Sequence, residues 1–193
     1  MPQQLVLAST SPYRKQLLEK LRVPFITDKP FVDETPLPNE TAIQLVERLA
    51  IAKAQALVNK YPNALLIGSD QVCVNNNMIL GKPGNFETAF TQLKAASNKS
   101  ITFYTGLALI NSVTGNVQSL VEPFTVKFRQ LNDSMIKNYL NKEQPYQCAG
   151  SFKSEGYGIA LFDSLAGKDP NSLVGLPLIS LIALLEAEDF FVL

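Results

Sequence analysis

Three hydroxyls, a proline and two cations directly follow an apolar run near the amino end: Leu5-Val6-Leu7-Ala8-Ser9-Thr10-Ser11-Pro12-Tyr13-Arg14-Lys15. Ser11 suits an N-cap, and Pro12 suits the first helical position, where its missing N–H costs nothing. Free backbone N–H groups at a helix start, flanked by Ser9 and Ser11 and with Arg14 one turn in, make a site for an anion such as phosphate. An ordinary capped strand-to-helix turn uses the same residue types. Asp70, in Gly68-Ser69-Asp70-Gln71-Val72, stands where an apolar run gives way to polar chain. Open α/β sheets bind ligands beyond the carboxyl ends of their strands. A carboxylate there acts as a general base, holds a divalent metal, or caps the next turn.

Lys53 falls on an apolar helical stripe with Leu49, Ala50 and Leu57. Either its stem snorkels to solvent or its ammonium meets an anion in a cleft. Asp33-Glu34-Thr35 lies in a proline-rich loop from Pro30 to Pro38. Adjacent acids in a loop are ordinarily solvated and gain interest only beside a metal or another carboxylate. Lys82, in Gly81-Lys82-Pro83, leaves a tight turn. The stretch from Gly150 to Gly158 sets four polar side chains between glycines, which suits close approach of backbone to a ligand and equally a surface loop. Taken together, three cations, three acids and two hydroxyl-rich turns point to a triphosphate site with a metal.

Composition narrows the chemistry further. The 193 residues are 46% hydrophobic and 18% charged, a globular balance. Lys plus Arg equals Asp plus Glu at 17 each, so no overall basic field exists to hold nucleic acid. No apolar run approaches the roughly 20 residues of a membrane span, and the first residues lack the pattern of a signal peptide. Cys73 and Cys148 have no metal-ligand spacing and read as structural thiols of a reduced, cytoplasmic protein. Histidine is absent. Ser-His-Asp and Cys-His catalysis, histidine-ligated zinc and an imidazole base are thereby excluded.

The elements that must position these residues alternate apolar runs with helical patterns, which favours α/β. Strands are expected at 5–8 and 64–69, the second delivering Asp70 at its end. A hairpin of 72–74 and 78–80 flanks Asn75-Asn76-Asn77, and long strands at 101–110 and 117–128 are joined by Thr114-Gly115-Asn116. Helices are expected at 12–21, 39–60, 86–96, 132–140 and about 176–188, and a strand after the glycine stretch runs to Phe162. The expected architecture is a single domain, residues 1–193, with two lobes on one mixed sheet and a central cleft.

At this point the chain resembles the Maf family. The motifs are Ser9-x-Ser11-Pro12-x-Arg14, Val32-Asp33-Glu34-Thr35, Arg48-Leu49-Ala50-x-x-Lys53-Ala54, Gly68-Ser69-Asp70-Gln71-Val72 and Gly81-Lys82-Pro83. They continue with Tyr104-Thr105-Gly106, Gly150-Ser151-Phe152-Lys153-Ser154-Glu155-Gly156 and Asn171-Ser172-Leu173-Val174-Gly175-Leu176-Pro177. The resemblance implies a nucleoside triphosphate pyrophosphatase that cleaves between the α and β phosphates with a divalent cation, Mg2+ or Mn2+. It implies a two-lobed α/β fold related to the inosine triphosphate pyrophosphatases. It casts Asp70 as the proton acceptor, Ser9, Ser11, Arg14, Lys53 and Lys82 as phosphate contacts, and Glu34, with Asp70, as a metal or water-positioning carboxylate. Residue chemistry alone does not choose between Asp70 and Glu34 as the base. A homodimer is a family-level expectation.

Three positions separate subgroups of the family. The pyrimidine subgroup typically has Arg, Thr and Gln where this chain has Tyr13, Gln71 and Glu155. These residues resemble the 7-methyl-GTP pyrophosphatase subgroup, whose first position is usually Trp. An aromatic face attracts the cationic methylated base, and Glu155 can accept from its N1–H and N2–H₂ edge. The alternatives are a dTTP/UTP pyrophosphatase of the same family and a non-catalytic nucleotide-binding regulator of cell division.

Overall fold

A computed structural model describes residues 3–76 and 78–193 of the chain. Seven strands form one mixed sheet: β1 (Gln4–Ala8), β2 (Ile26–Asp28), β3 (Ala64–Asn75), β4 (Met78–Leu80), β5 (Ser100–Asn111), β6 (Val117–Phe128) and β7 (Phe162–Gly167). Their order is β2-β1-β3-β5-β6-β7, with β4 paired to β3. β1 runs parallel to β2 and β3, whereas β3 with β4 and β6 with β7 are antiparallel. The helices are α1 (Pro12–Glu19), α2 (Ala42–Gln55), α3 (Phe86–Ala96), α4 (Asp133–Glu143), α5 (Pro170–Val174) and α6 (Leu178–Glu186). Among the described residues no helix is long and apolar enough to cross a membrane.

The chain packs as two compact units. The first takes residues up to Gln71, then Thr105–Glu122 and Asp169–Leu193. Its strands are apolar on both faces, as sheets covered on both sides require. Leu5, Leu7, Leu65, Ile67, Leu107 and Leu109 pack on Leu17 and Leu18 of α1 and on Leu178, Leu181 and Leu185 of α6. The alternate residues Val6, Ala8, Ala64, Leu66 and Ile110 turn to the opposite face with Ala54 of α2. The second unit takes Val72–Tyr104 and Pro123–Lys168. Its centre is aromatic: Phe152 meets Phe103, Phe128 and Phe162 edge-to-face, with centroids 4.8–5.6 Å apart.

Several boundaries differ from the sequence expectation. Residues 64–69 and 72–74 are one twelve-residue strand, so Asp70 lies within β3 and not at its end. The polar residues after Ile67 interrupt the apolar run, yet the backbone stays extended because β3 lies between β1 and β5. Asp70 is nonetheless beyond the last pair that β1 makes, Leu7 with Ile67. The helix expected over 39–60 starts after Thr41, because Asn39 adopts φ +62° outside it, and ends at Gln55. The strand expected to reach Phe162 begins there; the glycine-punctuated chain before it forms 3-10 turns at Ala149–Ser151 and Tyr157–Leu161. β2 and α5 are additional elements. β2 is too short to show periodicity, whereas Asp169-Pro170 and Gly175 carry an N-cap and a C-terminal glycine that frame α5. The hairpin of β3 and β4 forms as expected, its residue Asn77 lying outside the described residues, as do Met1 and Pro2.

Candidate active site

Thr41 caps α2 with a capping box: its hydroxyl accepts from Gln44 N–H, and the Gln44 side chain accepts from Thr41 N–H. The helix then lies directly on the sheet. A Cβ at Gly68 would come within 1.9 Å of the Ala50 carbonyl oxygen, and one at Gly106 within 2.1 Å of that of Val46. Only glycine allows this approach. Lys53 lies one turn after Ala50, and Asp70 lies on the same face of β3 as Gly68, two residues on. The two side chains therefore meet: Lys53 Nζ is 2.6 Å from Asp70 Oδ1, with the side chains 8% and 12% exposed. The ammonium on the apolar stripe does meet anions. Glu34 Oε1, on a side chain 60% exposed, closes on the same Nζ at 2.7 Å.

The loop that brings Glu34 there is cross-braced. Asp33 Oδ1 accepts from Thr35 N–H at 2.9 Å, and these contacts with Thr35 hold the Asp33 carboxyl below its ordinary range. Arg48 donates through Nε and Nη2 to both Glu40 oxygens, at 2.5 and 2.8 Å, and through Nη2 to the Thr35 carbonyl at 3.2 Å. Glu40 Oε2 also accepts from Leu37 N–H at 2.9 Å. The Arg48 fork is the first cause that lowers the Glu40 carboxyl to about 2. Sequence reasoning placed Arg48 in a motif but assigned it no contact and did not single out Glu40.

At the β1–α1 turn, Ser11 is the N-cap: its Oγ accepts from Arg14 N–H at 3.4 Å. Ser9 Oγ accepts from Ser11 N–H at 3.1 Å. Two of the N–H groups expected to face an anion are thus already taken. Each hydroxyl keeps its own O–H as a donor. Arg14 is half-buried and donates from Nε to the Gly175 carbonyl at 2.8 Å. Burial lowers its proton affinity, while the fields of Asp70 and Glu34 act the other way, so the guanidinium shares the electrostatic neighbourhood of the Lys53 cluster.

Gln71 follows Asp70 and therefore turns to the other face of β3. Its Nε2 donates to the carbonyls of Ser172 at 2.7 Å and Leu173 at 3.1 Å, and to Thr105 Oγ1 at 2.9 Å. Tyr13 is half-buried on α1. Lys82 and Glu155 belong to the second unit and are exposed there, Glu155 Oε2 accepting from Ser154 Oγ at 3.3 Å. Cys73 is buried and its thiol is pushed up to about 12 by desolvation, far from a reactive thiolate.

The first unit thus gathers two cations, two carboxylates and two hydroxyls from β1–α1, the Glu34 loop, α2 and β3. A family model described as "Maf-like protein" matches residues 4–188. The chain belongs to the Maf family. It is 60% identical over 189 residues to a "7-methyl-GTP pyrophosphatase" of Colwellia psychrerythraea, covering 98% of this chain and 94% of that one. It is 57% identical over 192 residues to a protein of the same name from Nitrosococcus oceani, covering 100% of this chain and 96% of the other. The Ham1 protein of Staphylococcus aureus shares the fold, with a TM-score of 0.53 at 13% identity, over 96% of this Maf protein and 99% of Ham1.

Glu34 and Asp70 also fit a divalent cation. Two carboxylates that already share one ammonium are hard oxygen donors of the kind Mg2+ and Mn2+ take. Among the described residues no group of three or more His, Cys, Asp or Glu gathers. Glu34 and Asp70 would therefore supply only part of the oxygen shell of such a cation.

Proposed function

We propose that this Maf protein hydrolyses 7-methyl-GTP to 7-methyl-GMP and pyrophosphate. One observation carries the reading: carboxylates from two separate segments converge on the Lys53 ammonium, within the field of Arg14. Such a balanced cluster suits binding a polyanion beside a base. Arg14 and Lys53 take phosphate oxygens, with the O–H groups of Ser9 and Ser11 as neutral donors. Asp70 Oδ1 is engaged by Lys53, which leaves Oδ2 to orient a water and accept its proton as the water oxygen attacks the α phosphorus. The bond from the α phosphorus to the bridging oxygen breaks, and the electron pair leaves with pyrophosphate. Burial of Asp70 beside Lys53 fixes its direction, whereas Glu34 is the more exposed carboxylate and assists from the loop. Glu34 and Asp70 would hold the divalent cation, which when bound offsets negative charge on the phosphate oxygens.

Tyr13, in the first unit, supports the choice of base. Stacking on an aromatic ring favours a cationic methylguanine by about 0.5–2 kcal/mol. The names of both relatives agree with this choice. The test is pyrophosphate release with Mg2+ or Mn2+ across 7-methyl-GTP, GTP, UTP, dTTP and CTP, for wild type and Asp70→Asn. The expected result is a preference for 7-methyl-GTP that the variant loses. Turnover of UTP or dTTP at an equal or higher rate refutes the substrate assignment, and full activity of Asp70→Asn refutes the base.

A further inference from the structure

The Asn171–Pro177 motif has no part in the chemistry above, yet it is among the most heavily braced segments of the first unit. Asp169, fully buried, caps α5 by accepting from Asn171 N–H at 2.8 Å and Nδ2 at 2.7 Å through Oδ1. Its Oδ2 accepts from Ile179 N–H at 2.8 Å, which ties the start of α6 to the same carboxylate. Sheet side chains hold the carbonyls of the turn from below. Thr105 Oγ1 donates to the Ser172 carbonyl at 2.8 Å, Gln71 Nε2 reaches the Ser172 and Leu173 carbonyls, and Ser69 Oγ shares its one proton between the Gly106 carbonyl at 2.8 Å and the Gly175 carbonyl at 2.9 Å.

The Gly175 carbonyl also accepts from Arg14 Nε. Gly175 has φ +115°, where a side chain is strained, and a Cβ there would come within 3.3 Å of Arg14 Nε. The backbone thus favours glycine here, and a Cβ would also press Arg14 back by a few tenths of an ångström. Among the described residues the terminal nitrogens of Arg14 have no hydrogen-bond partner. A guanidinium held at Nε presents a fixed fork, and loses less side-chain freedom when it meets an anion.

We propose that the Gly175 carbonyl is a positioning group for Arg14, held by Ser69 in a turn whose Ser172 and Leu173 carbonyls Thr105 and Gln71 brace, so that both terminal nitrogens of Arg14 are aimed at phosphate oxygens before substrate arrives. The proposal rests on Arg14 being a phosphate contact, as put forward above.

The experiment is a double-mutant cycle on 7-methyl-GTP, with KM and kcat from pyrophosphate release and Kd from calorimetry. It uses wild type, Ser69→Ala, Gly175→Ala, Arg14→Ala and the two doubles that contain Arg14→Ala. Loosening one charge-assisted contact raises KM and Kd roughly tenfold with kcat nearly unchanged. That loss is expected for Ser69→Ala and for Gly175→Ala, and it vanishes in the Arg14→Ala background. An equal fold-change in both backgrounds, or wild-type KM in Ser69→Ala and Gly175→Ala, overturns the positioning role. Unchanged KM and Kd in Arg14→Ala overturn the phosphate contact and the proposal with it. If Gly175→Ala does not fold, the Ser69→Ala cycle decides alone. If wild type turns over no nucleotide, the functional reading fails and the cycle is decided on Kd.

Discussion

Adding one methyl group at Gly68 should damage the proposed catalytic cluster without touching any residue in it. The Cβ of Gly68→Ala would sit 1.9 Å from the Ala50 carbonyl oxygen, and real Cβ contacts essentially never fall below 3.0 Å. That neighbour is helix backbone and cannot rotate away, so α2 has to retreat by roughly 1 Å or more. Lys53 lies one turn further along α2, and its 2.6 Å contact with Asp70 lengthens with the helix. Overpacking of this kind costs about 1–3 kcal/mol, which for a chain of this size lowers Tm by roughly 2–12 °C. A misplacement near 1 Å in a catalytic constellation costs about 10²-fold in rate. The assays are thermal denaturation and steady-state pyrophosphate release with 7-methyl-GTP. Wild-type Tm together with wild-type kcat/KM would refute the close-approach argument. A lowered Tm with unchanged kcat/KM would refute the link from helix position to the Lys53–Asp70 pair.

The two carboxylates on Lys53 should differ in what they contribute to stability. Asp70→Asn leaves a buried ammonium with only its exposed partner and costs roughly 1–3 kcal/mol in urea denaturation, whereas Glu34→Gln costs under about 1 kcal/mol because solvent already screens it. Equal losses would contradict the burial difference. The Glu40 carboxyl, lowered from 4.5 to about 2 by Arg48, contributes stability that is fully present above 4.5 and fades as pH falls toward 2. Glu40→Gln should therefore flatten the pH dependence of stability in that window, and an unchanged slope would argue against the Arg48 fork. Cys73, buried and raised to about 12, should resist alkylation at pH 8 in the folded protein and react once urea unfolds it, as peptide mass spectrometry would show.

Much of the molecule was legible along the chain because its signals are local. The cap at Ser11 and the proline after it, the apolar runs of β1 and β3, the stripe of α2 and the absence of histidine each depend on neighbours in sequence, as do the motifs that mark the Maf family. Even the anomaly at Lys53 was visible, since a cation on an apolar stripe breaks a helical pattern. Its partners were not. Whether that ammonium met water or a carboxylate depended on how close α2 comes to β3, and that distance is set by two glycines, Gly68 and Gly106, whose lack of a side chain leaves no periodic trace.

Tertiary packing decided the rest. Asp70 and Gln71 are adjacent in sequence and were read as members of one site, but strand geometry sends them to opposite faces, Asp70 to Lys53 and Gln71 to the turn after Asp169. Arg14 was read as a phosphate ligand from its place beside an N-cap, while the carbonyl that holds its Nε belongs to Gly175, at the far end of the chain. The 12-residue length of β3 and the existence of β2 likewise depend on strands paired from elsewhere. Residue types and spacing determined which chemistry this Maf protein can attempt. The folded sheet determined which of those side chains share a face, because alternation along a strand and contact between distant segments are settled only when the chain packs.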